Sequence, residues 1–201
     1  MPARGDHDAR RRDLSEAVWR VVAEQGFTGL TMRAVAAEMD ASTGLVTHYF
    51  PSKAALVRHA LELAAERVDT MERHVPSAPG LAGLRAAILD VVPVDPERVA
   101  MNRVWVSSWD LALADPTLGE AQRERYDRWR ARLRGHVEAA VARGELPDGA
   151  DVDDVAVSAA AFTHGLVTQA LFDPAAFPVA RLEGLVAGFV EGLGSQNPNP
   201  S

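Results

Sequence analysis

The chain contains no cysteine, which removes disulfides, thiol nucleophiles and thiolate metal sites at once. Aromatic residues amount to 6% of it while alanine is abundant, a balance that suits helices with close backbone approach. No apolar run approaches the ~18 residues that a membrane span requires. The opening MPARGDHDARRR lacks the apolar stretch of a secretory signal. These absences are compatible with a reducing cytosol, and a cytoplasmic protein without a membrane partner is the expectation. Period-two alternation of apolar and polar residues is missing, as is any internal repeat. No Glu-x-x-His, phosphate loop or nucleophile-elbow serine occurs either. No catalytic residue, metal site or cofactor is therefore expected.

What is present is an ordinary globular composition, 201 residues that are 47% apolar and 24% charged, enough for one or two compact domains with a sizeable core. The net charge of −7 argues against a nucleic-acid partner, but its distribution is uneven. Residues 1–58 hold eight Lys/Arg and seven Asp/Glu, and residues 59–201 hold thirteen and twenty-one. Phosphate would be repelled by the second part and not by the first.

Helical periodicity runs throughout, so the fold class is all-α with about nine helices. A first helix spans about Asp8 to Gln25, with Leu14, Val18, Val21 and Val22 on one face and Gly26 as its stop. Thr31 is a natural cap for a short helix from Met32 to Met39, with Val35, Ala36 and Met39 inward. Asp40 and Ala41 form a turn. Ser42 caps a second short helix, Thr43 to Tyr49, from which Val46 and Phe50 can reach the core. Pro51 breaks the chain and Ser52 caps a helix continuing to about His74. Residues 75–80, VPSAPG, form a boundary. Further helices are expected over Leu81–Val92, Asp95–Ala114, Asp115–Arg143, Asp151–Phe172 and Ala180–Leu193, the second and third started by Asp95-Pro96 and Asp115-Pro116. The domains expected are 1–52, 53–194 and a disordered tail, 195–201.

Two short helices joined by a tight polar turn behind an amphipathic helix form a helix-turn-helix. The stretch GFTGLTMRAVAAEMDASTGLVTHYFPSKAAL resembles the N-terminal domain of TetR-family transcriptional regulators. Gly26, Phe27, Thr31, Val35, Ala36, Ser42, Gly44, Val46, His48, Phe50, Ser52, Lys53 and Leu56 carry the resemblance. It departs from the family pattern at Asp40, where glycine is usual, and at Thr47, where tyrosine is usual. Asp tolerates a left-handed backbone better than most residues, so the turn can survive. The THYF ending is similar to that of the choline-responsive regulators of the betaine pathway. W-x3-W-x3-A-x2-DP followed by Y-x2-W-R resembles the C-terminal domain of that same subgroup.

The resemblance implies a DNA-binding protein. Thr43 and Thr47, with Leu45 beside them, become candidates to meet base edges, since a threonine can hydrogen-bond or pack its methyl on thymine. Thr31, Arg33, His48, Tyr49 and Lys53 become candidates for phosphate. Ser42 belongs to the same surface, although capping alone explains it. Gly44 permits close approach to DNA, or equally close packing on the preceding helix. Arg10, Arg11 and Arg12 form a basic arm for a minor groove or a solvated helix start. Trp19 is read as packing.

In the second domain, aromatics at helical spacing are most simply core. The resemblance adds an effector pocket, for which Met71, Met101, Trp105, Trp109, Phe162 and Gln169 are the candidates. His164 is read as a satisfied core or interface histidine. Ala160 and Val167, together with Leu182, Leu185, Val186 and Phe189 on the last helix, are candidates for a dimer interface or for packing within the chain. The partners implied are a double-stranded DNA operator, a second copy of the chain as a homodimer, and an unknown small-molecule effector. Most simply the chain is a ligand-released homodimeric repressor. Alternatives are a helical interaction module with a weakened DNA head, and an all-helical enzyme that no residue pattern supports.

Overall fold

The computed structural model describes residues 4–70 and 79–195. Met71, residues 75–78 of the expected boundary and the tail after Ser195 lie outside the described residues. Within them the chain forms α1 (Arg4–Gly29), α2 (Met32–Glu38), α3 (Thr43–Tyr49), α4 (Lys53–Thr70), α5 (Leu81–Leu89), α6 (Pro96–Ser107), α7 (Trp109–Ala114), α8 (Pro116–Ala142), α9 (Val152–Phe172) and α10 (Val179–Ser195). No strand occurs among the described residues. The backbone divides into two compact units. One is Met1–Met71 with Arg103–Asp110, and the other is Glu72–Asn102 with Leu111–Ser201.

The first unit closes around Leu14, Val18, Val21, Val22, Phe27, Leu30, Val35, Val46, Leu56 and Ala60, all buried. α1 packs on both α2 and α4. Gly26, with φ 65 and ψ −175, leaves helical geometry and stops the first helix where expected, and a short helical piece follows across the kink to Gly29. The side of Gly26 toward the end of α6 is close, with Ser107 Cβ 3.5 Å from where a Cβ would sit. Arg67 ties α4 to α1 twice, through a 2.6 Å ion pair to Glu16 and by lying 4.5 Å over the Trp19 ring. Trp19 is thus a packing residue.

The segment 96–114, expected as one helix, is two. The Ser107 hydroxyl donates to Val104 O at 3.0 Å and the Ser108 hydroxyl to Trp105 O at 2.7 Å. Hydroxyls that bond back to the preceding turn compete with the helical ladder, and the chain turns at Ser108 before α7 begins. Trp105 and Trp109 consequently stand on different helices. Residues 103–110 cluster with the first unit and not with the rest of α6.

In the second unit α8 packs on α9 and on α5, and α10 packs on α5. α9 buries Ala156, Ala159, Ala160, Thr163, Leu166, Val167 and Ala170. The buried Thr163 hydroxyl is satisfied by donating to Ala159 O at 2.7 Å. By length and composition α9 is apolar enough to cross a membrane, which amends the expectation that no segment qualifies. Its apolar inner face is accounted for by packing within the unit. Gly80 begins α5 with φ 80 and no side-chain cap of its own. The cap comes from Glu145, whose Oε2 accepts the Leu81 N–H at 2.7 Å. The φ of 80° favours glycine there, and a Cβ would also displace the Glu145 carboxylate from its cap. At the other end of α5, Asp90 accepts from Arg132 Nη2 at 2.6 Å, and Arg98, 6% exposed, donates through Nε to Asp90 O at 3.1 Å. The buried guanidinium is thus held by α5, α6 and the Asp95 cap together.

Candidate DNA interface

Three hydroxyls build the frame. Thr31 Oγ1 accepts from Ala34 N at 3.0 Å, Ser42 Oγ from Leu45 N at 3.4 Å and Ser52 Oγ from Ala55 N at 3.1 Å, starting α2, α3 and α4 in turn. Between α2 and α3 the chain reverses through Asp40, the one non-glycine residue with positive φ (48°) among those described. Ala41 N returns to Ala36 O at 2.9 Å and closes the turn. The departure from glycine at this position therefore keeps the left-handed geometry. Phe50 is half-buried with its ring 5.0 Å from that of His59, and Met39 is half-buried rather than fully inward.

α3 is held by one fully buried residue, Val46. On its opposite side Thr43, Gly44, Thr47 and His48 are exposed, as are Thr31, Arg33, Ser42 and Lys53 around it. Tyr49 is half-buried, edge-on to His48 with ring centroids 5.4 Å apart. The Thr47 hydroxyl donates to Thr43 O at 2.9 Å, so its methyl and its two lone pairs are what it can offer outward. A Cβ at Gly44 would meet nothing nearer than Ser42 Oγ at 3.8 Å. Close packing on α2 does not explain the glycine.

Thr31, Arg33 and Thr43 come together along an open groove of about 960 Å³ that also touches Gln25 and Glu38. The Glu38 carboxylate, which would repel a phosphate, is neutralised by Arg20 Nε at 2.6 Å. A second hollow of about 250 Å³ gathers His48 and Tyr49 with Arg11, Phe50 and His59. His59 Nε2 lies 2.9 Å from Ser15 Oγ. Burial, assisted by Arg11, lowers the His59 pKa against the opposing carboxylates of Glu62 and Glu66. Arg10, Arg11 and Arg12 lie inside α1, which starts at Arg4, so they are helical and not an extended arm. Sequence reasoning missed the place of Arg11 beside His48. Its place one turn before the buried Leu14 was the available signal.

Of the residues read as an effector pocket, Trp105 and Trp109 belong to the first unit and Met101, Phe162 and Gln169 to the second. Met101 is buried, Trp105 and Trp109 are half-buried, and Trp109 Nε1 is buried with no hydrogen-bond partner. The Phe162 ring is stacked on Phe189, with centroids 4.2 Å apart. Gln169 is exposed, because the inward face of α9 is taken by Leu166, Val167 and Ala170. It is corrected to a surface residue. A second correction concerns the dimer surface. Ala160, Val167, Leu182 and Val186 are between 0% and 6% exposed within the single chain. Packing inside the second unit consumes them, since α10 uses its stripe on α5. Leu185 alone of those on α10 remains open, at 38%, alongside Val157 at 51% on α9. His164 rests against Tyr126 with ring centroids 5.0 Å apart.

A short helix anchored by one valine and offering a polar outer face, set behind a capped partner helix, defines a helix-turn-helix head. Residues 14–60 match the family of bacterial regulatory proteins called tetR, and residues 81–195 match the C-terminal domain of BetI-type transcriptional repressors. The HTH-type transcriptional regulator PksA of Bacillus subtilis is 27% identical over 96% of this chain and 94% of its own length. The regulator BetI of Burkholderia mallei is 33% identical over 61% of this chain and 65% of its own. The crystal structure of a transcriptional regulator from Saccharomonospora viridis in complex with choline shares the fold. Its TM-score is 0.80 at 23% identity, covering 92% of this chain and 96% of that one. The chain belongs to the TetR family of transcriptional regulators, with a C-terminal domain of the BetI type.

Proposed function

We propose that this regulator acts as a homodimeric repressor that reads a palindromic operator through α3 and leaves it when a small molecule binds beyond residue 80. The observation that carries the reading is the outer face of α3. Thr43, Gly44, Thr47 and His48 are exposed there around a glycine that no neighbour requires. A helix with such a face gains little from water and fits a major groove, where Thr43 and Thr47 reach base edges. Thr31, Arg33, His48, Tyr49 and Lys53 surround it as phosphate contacts, and Ser42 acts through its cap.

One head grips too few base pairs for specificity. A two-fold pair reads half-sites about 34 Å apart. The surface proposed for pairing is what remains open on α9 and α10: Val157, Ala161, Gly165, Gly184, Leu185 and Gly188. At Gly165, Gly184 and Gly188 an added Cβ would meet nothing within 4 Å, leaving room for a second copy to come close. Release follows from differential affinity. An effector that prefers the head spacing unable to span the half-sites shifts the population off DNA, and one that binds both spacings equally shifts nothing. α4, and residues 103–110 that cluster with the head, are the levers. Acting on chromosomal DNA places the protein in the cytoplasm, and no chemical step is assigned to it.

Gel-shift titration against the DNA upstream of its own gene tests this reading. Binding tighter than about 1 µM, falling steeply between about 50 and 200 mM salt, is expected. Affinity no higher than for random DNA of equal length would remove the repressor assignment.

A further inference from the structure

Gln122, Arg125, Tyr126 and Trp129 stand at i, i+3, i+4 and i+7 on α8 and share one face. All four are half-buried, and His164 of α9 lies against Tyr126. Arg125 Nε donates to Gln122 Oε1 at 3.3 Å, and its guanidinium carbon stands 5.0 Å from the centre of the Tyr126 ring. That hydrogen bond sets the Gln122 amide, because turning it over would put NH2 against guanidinium N–H. Gln122 Nε2 is then directed away from Arg125, buried and without a hydrogen-bond partner. Trp129 Nε1, on the same face, is also buried without one. Folded proteins seldom strand such donors. Two of them on one face, beside a guanidinium, call for an acceptor that comes from outside the chain.

The neighbouring guanidinium groups add charge of the matching sign. Burial first, then Arg125 and Arg130, push His164 down to about 4. Arg125 is itself pulled down to about 10, chiefly by burial, with Arg128 adding to the shift and Tyr126 opposing it. The Arg125 and Arg130 charges, unlike burial, act against cations alone, including a quaternary ammonium that the aromatic rings could otherwise hold. A carboxylate suits both features. Its oxygens offer lone pairs to the amide and the guanidinium, and its apolar body can lie on the Tyr126 and Trp129 rings.

We propose that this face of α8, bordered by His164 of α9, is a binding site for a small organic carboxylate. Its regulatory consequence rests on the ligand-release reading above, but binding itself does not.

The test uses the full-length protein and isothermal calorimetry with acetate, hexanoate, benzoate and phenylacetate, each beside its amide, and with choline. At least one carboxylate should bind saturably, its amide about tenfold more weakly or worse, and choline not at all. Arg125→Met and Gln122→Leu should each weaken that carboxylate by about tenfold. The Gln122 variant removes a neutral amide, whose oxygen accepts from Arg125 and whose nitrogen has no partner, and keeps the test open if the Arg125 variant misfolds. Binding by none of the four carboxylates, equal binding of amide or choline, or undiminished affinity in the folded variants overturns the site. Operator affinity is read in the same samples. A carboxylate that binds here without weakening the DNA complex upholds the site and refutes ligand release.

Discussion

The Phe162 ring on α9 lies parallel to the Phe189 ring on α10, within 7° and 4.2 Å between centroids. One residue was read from sequence as pocket lining and the other as partner-facing, and the fold gives both to each other. The stack helps hold α10 beside α9, while the main apolar stripe of α10 faces α5. Phe189→Ala should lower unfolding stability by about 2 kcal/mol, given two half-buried rings and their mutual contact. A double-mutant cycle with Phe162→Ala in urea should show coupling of about 1 kcal/mol. Additive losses would mean that the rings act separately.

Gly44 separates folding from DNA binding. Alanine there meets no neighbour and has the higher helix propensity, so Gly44→Ala should leave stability unchanged or raise it by up to about 1 kcal/mol. If α3 enters a groove as proposed, the same methyl should cost about tenfold or more in operator affinity. Thermal melts paired with fluorescence-anisotropy titrations measure both. Unchanged affinity would move the glycine out of the interface.

Thr43 and Lys53 should fail in different ways. Lys53→Ala should weaken specific and random DNA alike and reduce the log–log salt slope by about 1. Thr43→Ala should cost about 1–3 kcal/mol on the operator and relax discrimination at one base step. Equal losses on operator and random DNA for both variants would defeat the assignment of Thr43 to a base.

Asp40 holds φ at 48° in the turn between α2 and α3. A β-branched residue pays heavily in that region, so Asp40→Val should destabilise the head by about 1–2 kcal/mol, whereas Asp40→Gly should be neutral to mildly stabilising. Urea midpoints of the three proteins decide it. A Val variant as stable as the parent would show that the turn adapts.

Acid should weaken the second unit through His164. Its folded pKa of about 4 lies below the ordinary 6.5, so the unfolded chain binds the proton more readily. The stability contributed by the neutral ring is present above about pH 6.5 and is lost as pH falls toward about 4. Glu145, held low by Arg143 and the Leu81 N–H, acts with the same sign below its ordinary 4.5. His164→Gln should flatten the urea-midpoint profile between about pH 6.5 and 4. An unaltered profile would assign the loss to His59 and His136, whose pKa values burial also lowers.

The head was legible because its signals are local. Thr31, Ser42 and Ser52 announce three helix starts, Asp40 a left-handed turn, and Val46 a single inward residue on a short helix. Each depends on side chains within four positions, so spacing alone reports it. The break at Ser108 was harder to see, since it rests on two hydroxyls choosing carbonyls of the preceding turn, a choice that serine makes in only some helices. Of the face of Gln122, Arg125, Tyr126 and Trp129, only the Y-x2-W-R pattern stood out in sequence, and its missing acceptors appear only once neighbours are placed.

From the order of residues alone came the all-helical class, the helix-turn-helix and its outward side, because caps, glycines and apolar period act over one or two turns. Only the assembled chain decided which apolar stripes are spent inside it. Leu182, Val186, Ala160 and Val167 look the same whether they face a neighbouring helix or a second molecule, since hydrophobic burial has no direction and takes whichever surface lies nearest.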